Sequence, residues 1–192
     1  MNSNIVLSTC MNYSYDIFKR FVGSLFDSTN NTDLVLFISE NDIHHCEKLQ
    51  KIYSNLIYIV VDNKNIHVVN FRFKLYYDFL LDKLHESKLY EYIFICDSRD
   101  VLFQKDIFTH PILNNKHDLY IFQEESLDIT VDKCQFNSLY IKKSGLDINH
   151  YVKDKPILCV GTILGNNKGI LNYLKIFNNI LNNEILQENK LY

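Results

Sequence analysis

The chain has 192 residues, 47% of them hydrophobic and 22% charged, with a net charge of -3; this is the balance of a soluble globular domain with chain enough to bury a sizeable core. That charge offers no basic field for DNA or RNA, which excludes nucleic acid as an expected partner. The five cysteines, Cys10, Cys46, Cys96, Cys134 and Cys159, are scattered without C-x-x-C spacing, which argues against a zinc site or a disulfide framework and for a reducing compartment.

Strand and helix patterns alternate along the chain, as they do in an α/β layer fold. Residues 5–10 read as a first strand, followed by a helix over 16–26 with Ile17, Phe21, Val22 and Leu25 on one face. Residues 34–38 form the second strand and 43–53 the second helix. The third strand, 56–61, closes on Asp62-Asn63-Lys64-Asn65, a turn by composition. Phe73, Tyr77, Leu80 and Leu84 recur at helical spacing before the next strand. Residues 119–122 make a further strand ending at Gln123-Glu124-Glu125, and a polar, irregular region runs from there to Pro156. A strand over 157–164 and a helix burying Ile170, Leu174, Phe177 and Leu181 complete the pattern. No internal repeat is present. His44-His45-Cys46-Glu47 is not expected to hold a metal, because adjacent helical side chains diverge and shared His ligands are spaced i,i+4.

The most informative stretch runs from Tyr92 through Cys96 to Asp97-Ser98-Arg99-Asp100-Val101-Leu102-Phe103-Gln104. An uncharged Ile- and Phe-rich run is what a strand buried on both faces looks like. It stops in two carboxylates, Asp97 and Asp100, with Arg99 between them. Carboxylates leaving a central strand lie at the sheet edge where α/β folds bind ligands. Mg²⁺ or Mn²⁺ takes one or two such carboxylates together with substrate phosphates. The alternative is an Asp that caps the next helix, with Arg99 neutralising Asp100.

This stretch resembles the DxD region of nucleotide-sugar-dependent glycosyltransferases of the GT-A fold, in particular a branch carrying D-x-R-D-V-x-F-Q after the fourth strand. Three other pieces agree: the first strand leading to Ser8-Thr9-Cys10, the Arg-bearing segment Asn70-Phe71-Arg72-Phe73-Lys74-Leu75-Tyr76-Tyr77, and Lys155 to Gly165 with its small-residue turn. The resemblance covers nearly the whole chain. It implies one GT-A-like domain over 1–192, a mostly parallel central sheet flanked by helices. It also implies a nucleotide-diphosphate sugar as donor, a divalent Mn²⁺ or Mg²⁺, and a glycan, lipid or protein acceptor. Relatives continue past the last helix into a segment with an Asp-Gln pair and often a late His, so the chain reads as a compact version, a fragment, or one domain of something larger.

Carried over residue by residue, the resemblance makes Asp100 the direct metal ligand. Asp97 falls one residue before the motif's first Asp, and would bind the ion through water or hold the ribose hydroxyls. Arg72 would pair with the acidic loop or the nucleotide phosphates, and the alternative is an exposed helix arginine. Lys74, two positions on, reads as surface. Arg99 would orient Asp97, bind donor, or act as counter-ion for the two carboxylates. Thr9 and Asn12 follow the first strand, where base and ribose would sit. Gly161 and Thr162 fall where sugar or acceptor approaches the backbone, unless the glycine marks a bulge. Glu124 and Glu125 are candidates for the base that takes the acceptor proton, or a solvated rim.

No stretch reaches the length of a membrane span, and the N-terminus has neither a basic n-region nor a long apolar h-region. The expected location is the cytoplasm, or the host cytoplasm if the source is viral. Heavy use of Asn, Ile, Lys, Tyr and Phe fits an AT-rich coding sequence. Two other functions remain open at this point: a sugar-nucleotide-binding module without turnover, and a haloacid-dehalogenase-like phosphatase. The phosphatase would need its aspartate nucleophile on the first strand, which here ends in Ser8-Thr9-Cys10.

Overall fold

A computed structural model describes residues 2–62, 68–124, 129–143 and 153–181. Six strands form one sheet in the order β3-β2-β1-β4-β6-β5. The strands are β1 (Asn4–Thr9), β2 (Thr32–Ile38), β3 (Leu56–Val60), β4 (Tyr92–Cys96), β5 (Leu119–Gln123) and β6 (Leu158–Gly165). β1 pairs in parallel with β2 and β4, and β2 with β3. β6 runs antiparallel to both β4 and β5. The sheet is therefore mostly parallel, with β6 alone reversed. The helices are α1 (Tyr15–Ser28), α2 (Ile43–Gln50), α3 (Val68–His85), α4 (Gln135–Lys143) and α5 (Asn167–Leu181).

The period of two along each strand divides the core into two layers. Val6, Leu34, Leu36, Ile38, Phe94 and Cys96 face α1 and α2, against Phe18, Phe21, Val22, Leu25, Cys46 and Leu49. Ile5, Leu7, Val35, Phe37, Ile93 and Ile95 face α3 and α5, against Phe73, Tyr76, Leu80, Ile170 and Leu174. All seven residues of β2 are buried, which is why it reads as a continuous apolar run rather than an alternating one. Helices cover both faces of the central strands, so the apolar side chains of β1, β2 and β4 are buried on one side or the other.

Several expectations are corrected by the structure. On α3 the buried apolar residues are Phe73, Tyr76, Phe79 and Leu80, whereas Tyr77 is half-buried and Leu84 is 41% exposed. Apart from the exposed stripe Lys74, Asp78 and Asp82, apolar residues spread widely around the helix, so a face chosen by spacing alone was ambiguous. On α1, Phe18 is buried and Ile17 only half-buried. The region between Glu125 and Pro156 is not wholly irregular, since it contains α4. Residues 63–65 of the expected turn and the Leu181 side chain lie outside the described residues.

The connections place the site. After β1 the chain steps outward to β2 and β3, then returns to lay β4 on β1's other side. The crevice at the carboxyl ends of β1 and β4 is thus the point where the strand order reverses, the default ligand site of an open α/β sheet. Because β6 is antiparallel to β4, the first residues of β6 arrive at this same edge, with Thr162 opposite Cys96.

Candidate functional site

Two serine hydroxyls hold the ends of β1 and β4 together. Ser8 Oγ donates to the Cys96 carbonyl and Ser98 Oγ to the Thr9 carbonyl, each at 2.7 Å. Both serines are buried, so these bonds satisfy carbonyls that the sheet ladder leaves over at its edge. The chain then turns outward as Ser98-Arg99-Asp100 and opens a cleft of about 190 Å³. Thr9 and Tyr13 line it from the β1 side, Arg72 from α3, and Asp97 to Asp100 from the β4 side.

Arg72 is buried to 6% exposure, which settles it as an inward-facing residue rather than an exposed helix arginine. Its Nη1 donates to Asp97 Oδ1 in an ion pair, and its Nη2 donates to the Val160 carbonyl at 3.4 Å. A guanidinium out of water needs such a partner, because an uncompensated buried charge is strongly destabilising. Asp97 is fixed from three directions. Arg72 holds one oxygen, the Asp97 amide donates to the Gly161 carbonyl at 3.0 Å, and the Gly161 Cα closes on the other oxygen. A Cβ on Gly161 would lie 2.4 Å from Asp97 Oδ2. The group that takes up the missing side-chain space is therefore the Asp97 carboxylate.

Asp100 is a different kind of carboxylate. It is exposed, lines the cleft, and has no hydrogen bond or ion pair with another of the described residues. Arg99, next to it, is exposed, and its backbone carbonyl accepts a hydrogen bond from Arg20 of α1. Arg72, not Arg99, is the counter-ion of Asp97. No group of three or more His, Cys, Asp or Glu side chains comes together among the described residues. Two carboxylates in one cleft suit a hard divalent ion that keeps water and takes phosphate oxygens for the rest of its shell. Asp100 has its lone pairs free for this, and Asp97 has the Oδ2 that Arg72 leaves unused.

The remaining expected residues divide. Thr9 belongs to the cleft. Asn12 sits at φ 59, a left-handed conformation that Asn tolerates, and its amide donates to Asp42 Oδ2 at 2.9 Å. It fastens the loop after β1 to the start of α2 and does not line the cleft. Thr162, opposite Cys96 on β6, is half-buried and is not among the residues that line the cleft; its Oγ1 accepts from Cys159 Sγ at 3.7 Å. Glu124 is exposed at the end of β5, two strands away from β4 and outside the cleft lining; Glu125 lies outside the described residues. Lys74 is exposed and pairs with Asp78 one turn on, as a surface residue does. His44 is exposed, but His45 packs between the rings of Tyr15 and Phe18.

Sequence reasoning passed over Tyr13 and Arg20. One signal pointed to Arg20: the chain has only three arginines, Arg20, Arg72 and Arg99, and all three meet at the acidic loop. In a chain that otherwise uses lysine, a planar five-donor cation marks a place where carboxylate, carbonyl or phosphate geometry matters.

Solved structures share this fold at low identity. A 4-diphosphocytidyl-2C-methyl-D-erythritol synthase gives a TM-score of 0.56 at 13% identity, over 90% of this chain and 79% of that one. The synthase of the same name from Anaerococcus prevotii gives 0.57 at 12%, over 95% and 77%. The glycosyltransferase GlyE of Streptococcus pneumoniae gives 0.53 at 12%, over 96% of this chain and 40% of that one. The similarity is one of fold, and the fold is that of the GT-A-like nucleotide-diphospho-sugar transferases. No protein-family profile matches the chain, and no curated protein matches its sequence.

Proposed function

We propose that this chain binds a nucleotide-diphosphate sugar in the cleft between β1 and β4 and transfers the sugar to an acceptor hydroxyl. The observation that carries the reading is the division of labour between the two carboxylates. Asp97 is locked in place by the buried Arg72, while Asp100 stands free a few residues away in the same cleft. With Asp97 already neutralised, the exposed Asp100 gives the cleft a carboxylate whose lone pairs are open to a cation.

In this reading Asp100 and the free oxygen of Asp97 hold a divalent cation, with Mn²⁺ and Mg²⁺ both suited to an all-oxygen site. When bound, the ion supplies positive charge against the diphosphate as the glycosidic bond breaks. Arg99 is the side chain free to reach the same phosphates, and a guanidinium can take two of their oxygens at once. Tyr13 offers a half-buried ring for the base, and Thr9 a backbone edge for the ribose. The sugar's C1–O bond to diphosphate breaks with its electron pair leaving on phosphate, and a C1–O bond forms to the acceptor oxygen. The acceptor proton passes to a carboxylate or to the departing phosphate. Glu124 stands outside the cleft, and this favours one second reading, a module that binds sugar nucleotides without turning them over.

A panel of UDP-, GDP-, CMP- and dTDP-sugars, each with and without Mn²⁺, tests both readings by thermal shift and by release of nucleoside diphosphate. Native-state ligands raise the melting temperature by mass action. The expected result is one nucleotide class that stabilises only with metal and is turned over. Stabilisation without turnover selects the binding module, and no stabilisation by any donor removes both.

A further inference from the structure

Two polar atoms under the floor of the cleft have no partner. Among the described residues four buried side-chain polar atoms lack a hydrogen bond, and two of them, Arg72 Nε and the Tyr76 hydroxyl, belong to this one site. Residues 72 and 76 are i and i+4 on α3, so their side chains lie one above the other on the face turned toward β1 and β4. Tyr76 is fully buried. Its ring packs against Phe37 and Phe73, with centroids 5.4 and 6.2 Å away. Its hydroxyl points away from these rings into the polar group formed by Arg72, Thr9 and Asp97, beside Thr9 without closing a bond of normal geometry. Burial pushes the phenol above its ordinary range, and the Arg72 charge acts against that shift, so the oxygen is a neutral donor and acceptor throughout neutral pH.

A phenylalanine would fill this place equally well. It would pack on the same rings and avoid the desolvation penalty that a buried hydroxyl incurs when nothing pairs with it. Departures from local consistency of this kind concentrate at functional sites. We propose that Tyr76 is a positioning residue for Arg72: its oxygen takes the Arg72 Nε–H when a phosphate ligand enters the cleft, holding the guanidinium while its Nη groups are shared between Asp97 and the ligand side. Arg72 has Nη1 on Asp97 and Nη2 on Val160 at a long 3.4 Å, which leaves Nε as the one guanidinium nitrogen without a partner among the described residues. The Tyr76 hydroxyl, one helical turn along on the same face, is the acceptor within the same site that also lacks a partner. Tyr76, having no exposure, touches no substrate and works only through Arg72. The inference rests on the proposed donor site, since it assumes phosphate binds there.

The probe is inorganic pyrophosphate with Mg²⁺, the moiety common to every nucleoside diphosphate donor, and the variant is Tyr76→Phe. Three arginines give three Nε–H resonances in a ¹⁵N-labelled chain, and loss of one in Arg72→Lys assigns Arg72. In the wild type, Mg²⁺-pyrophosphate is expected to shift the Arg72 Nε–H signal and slow its exchange with water. In Tyr76→Phe the melting temperature should stay the same or rise, the Nε–H signal should not respond, and pyrophosphate should bind about tenfold more weakly by calorimetry, the usual scale for one hydrogen bond to a charged group. If the variant binds as tightly as wild type with the same Nε–H response, or melts markedly lower without ligand, the positioning role is overturned and the donor site stands. If wild type does not bind Mg²⁺-pyrophosphate at all, the donor site falls and the inference with it.

Discussion

At the scale of single residues the site depends on Gly161 as much as on its charged members. Its backbone conformation is one that any residue adopts, so an alanine there is resisted only by contact. That contact is with Asp97, 2.4 Å from the added Cβ, and Arg72 prevents the carboxylate from swinging clear. Gly161→Ala is expected to cost about 1–3 kcal/mol of stability, the range for forcing an extra carbon into a packed place, and to weaken metal-dependent nucleotide binding more than overall stability. Melting temperature and calorimetry on the same preparation check both parts. Unchanged values in both would mean that Asp97 is not held as described. This role was not readable from the sequence, where a glycine after a strand's start signals only a bulge or a close approach of something unnamed. The acidic pair was readable, because two carboxylates after an uncharged run have few structural uses. The pairing of Asp97 with Arg72 was suggested by resemblance alone; nothing in the sequence fixes which of the three arginines faces it.

At the scale of elements, the two layers followed from composition, and the errors have physical causes. The runs 5–9, 34–38 and 92–96 that became the bulk of β1, β2 and β4 are uncharged because helices cover them on both faces. The direction of β6 is a property of topology and leaves no mark on its residues. α4 was missed because Phe136, Asn137 and Ser138 in its first turn have only middling to weak helix preference. α2 carries a pH-dependent weakness that spacing did not reveal. His45 Nδ1 is buried without a hydrogen-bond partner, and its ring lies 5.5 and 5.2 Å from those of Tyr15 and Phe18 on α1. Burial first, then the neighbouring His44 and Lys48, lowers its pKa, and Asp42 opposes them. The unfolded chain therefore takes up this proton first as pH falls below about 6.5. Stability from His45 is complete above that pH and is lost on descent through the lower folded value. Between about pH 7 and pH 5 the melting temperature should fall more steeply in the wild type than in His45→Phe. Parallel slopes would show that His45 ionises as freely in the folded chain as in the unfolded one.

For the whole molecule, the reversal of strand order between β1 and β4 brings together groups from across the chain, in a GT-A-like fold. No helix among the described residues is long and apolar enough to cross a membrane. The central claim is that the β1–β4 edge binds a nucleoside diphosphate through a divalent ion on Asp100. Asp97 cannot test it, because removing the partner of the buried Arg72 would leave that charge uncompensated and confound chemistry with folding. Asp100→Asn can, since the side chain is exposed and unpaired among the described residues and its loss should leave the ligand-free melting temperature unchanged. The direct measurement is the calorimetric affinity of wild type and Asp100→Asn for UDP and GDP in turn, with Mn²⁺ and with EDTA. The account predicts tight binding of at least one nucleotide by wild type with Mn²⁺, and weak binding both with EDTA and in a normally folded Asp100→Asn. Equal affinity with Mn²⁺ and EDTA, or an Asp100→Asn chain that binds as wild type does, would contradict it.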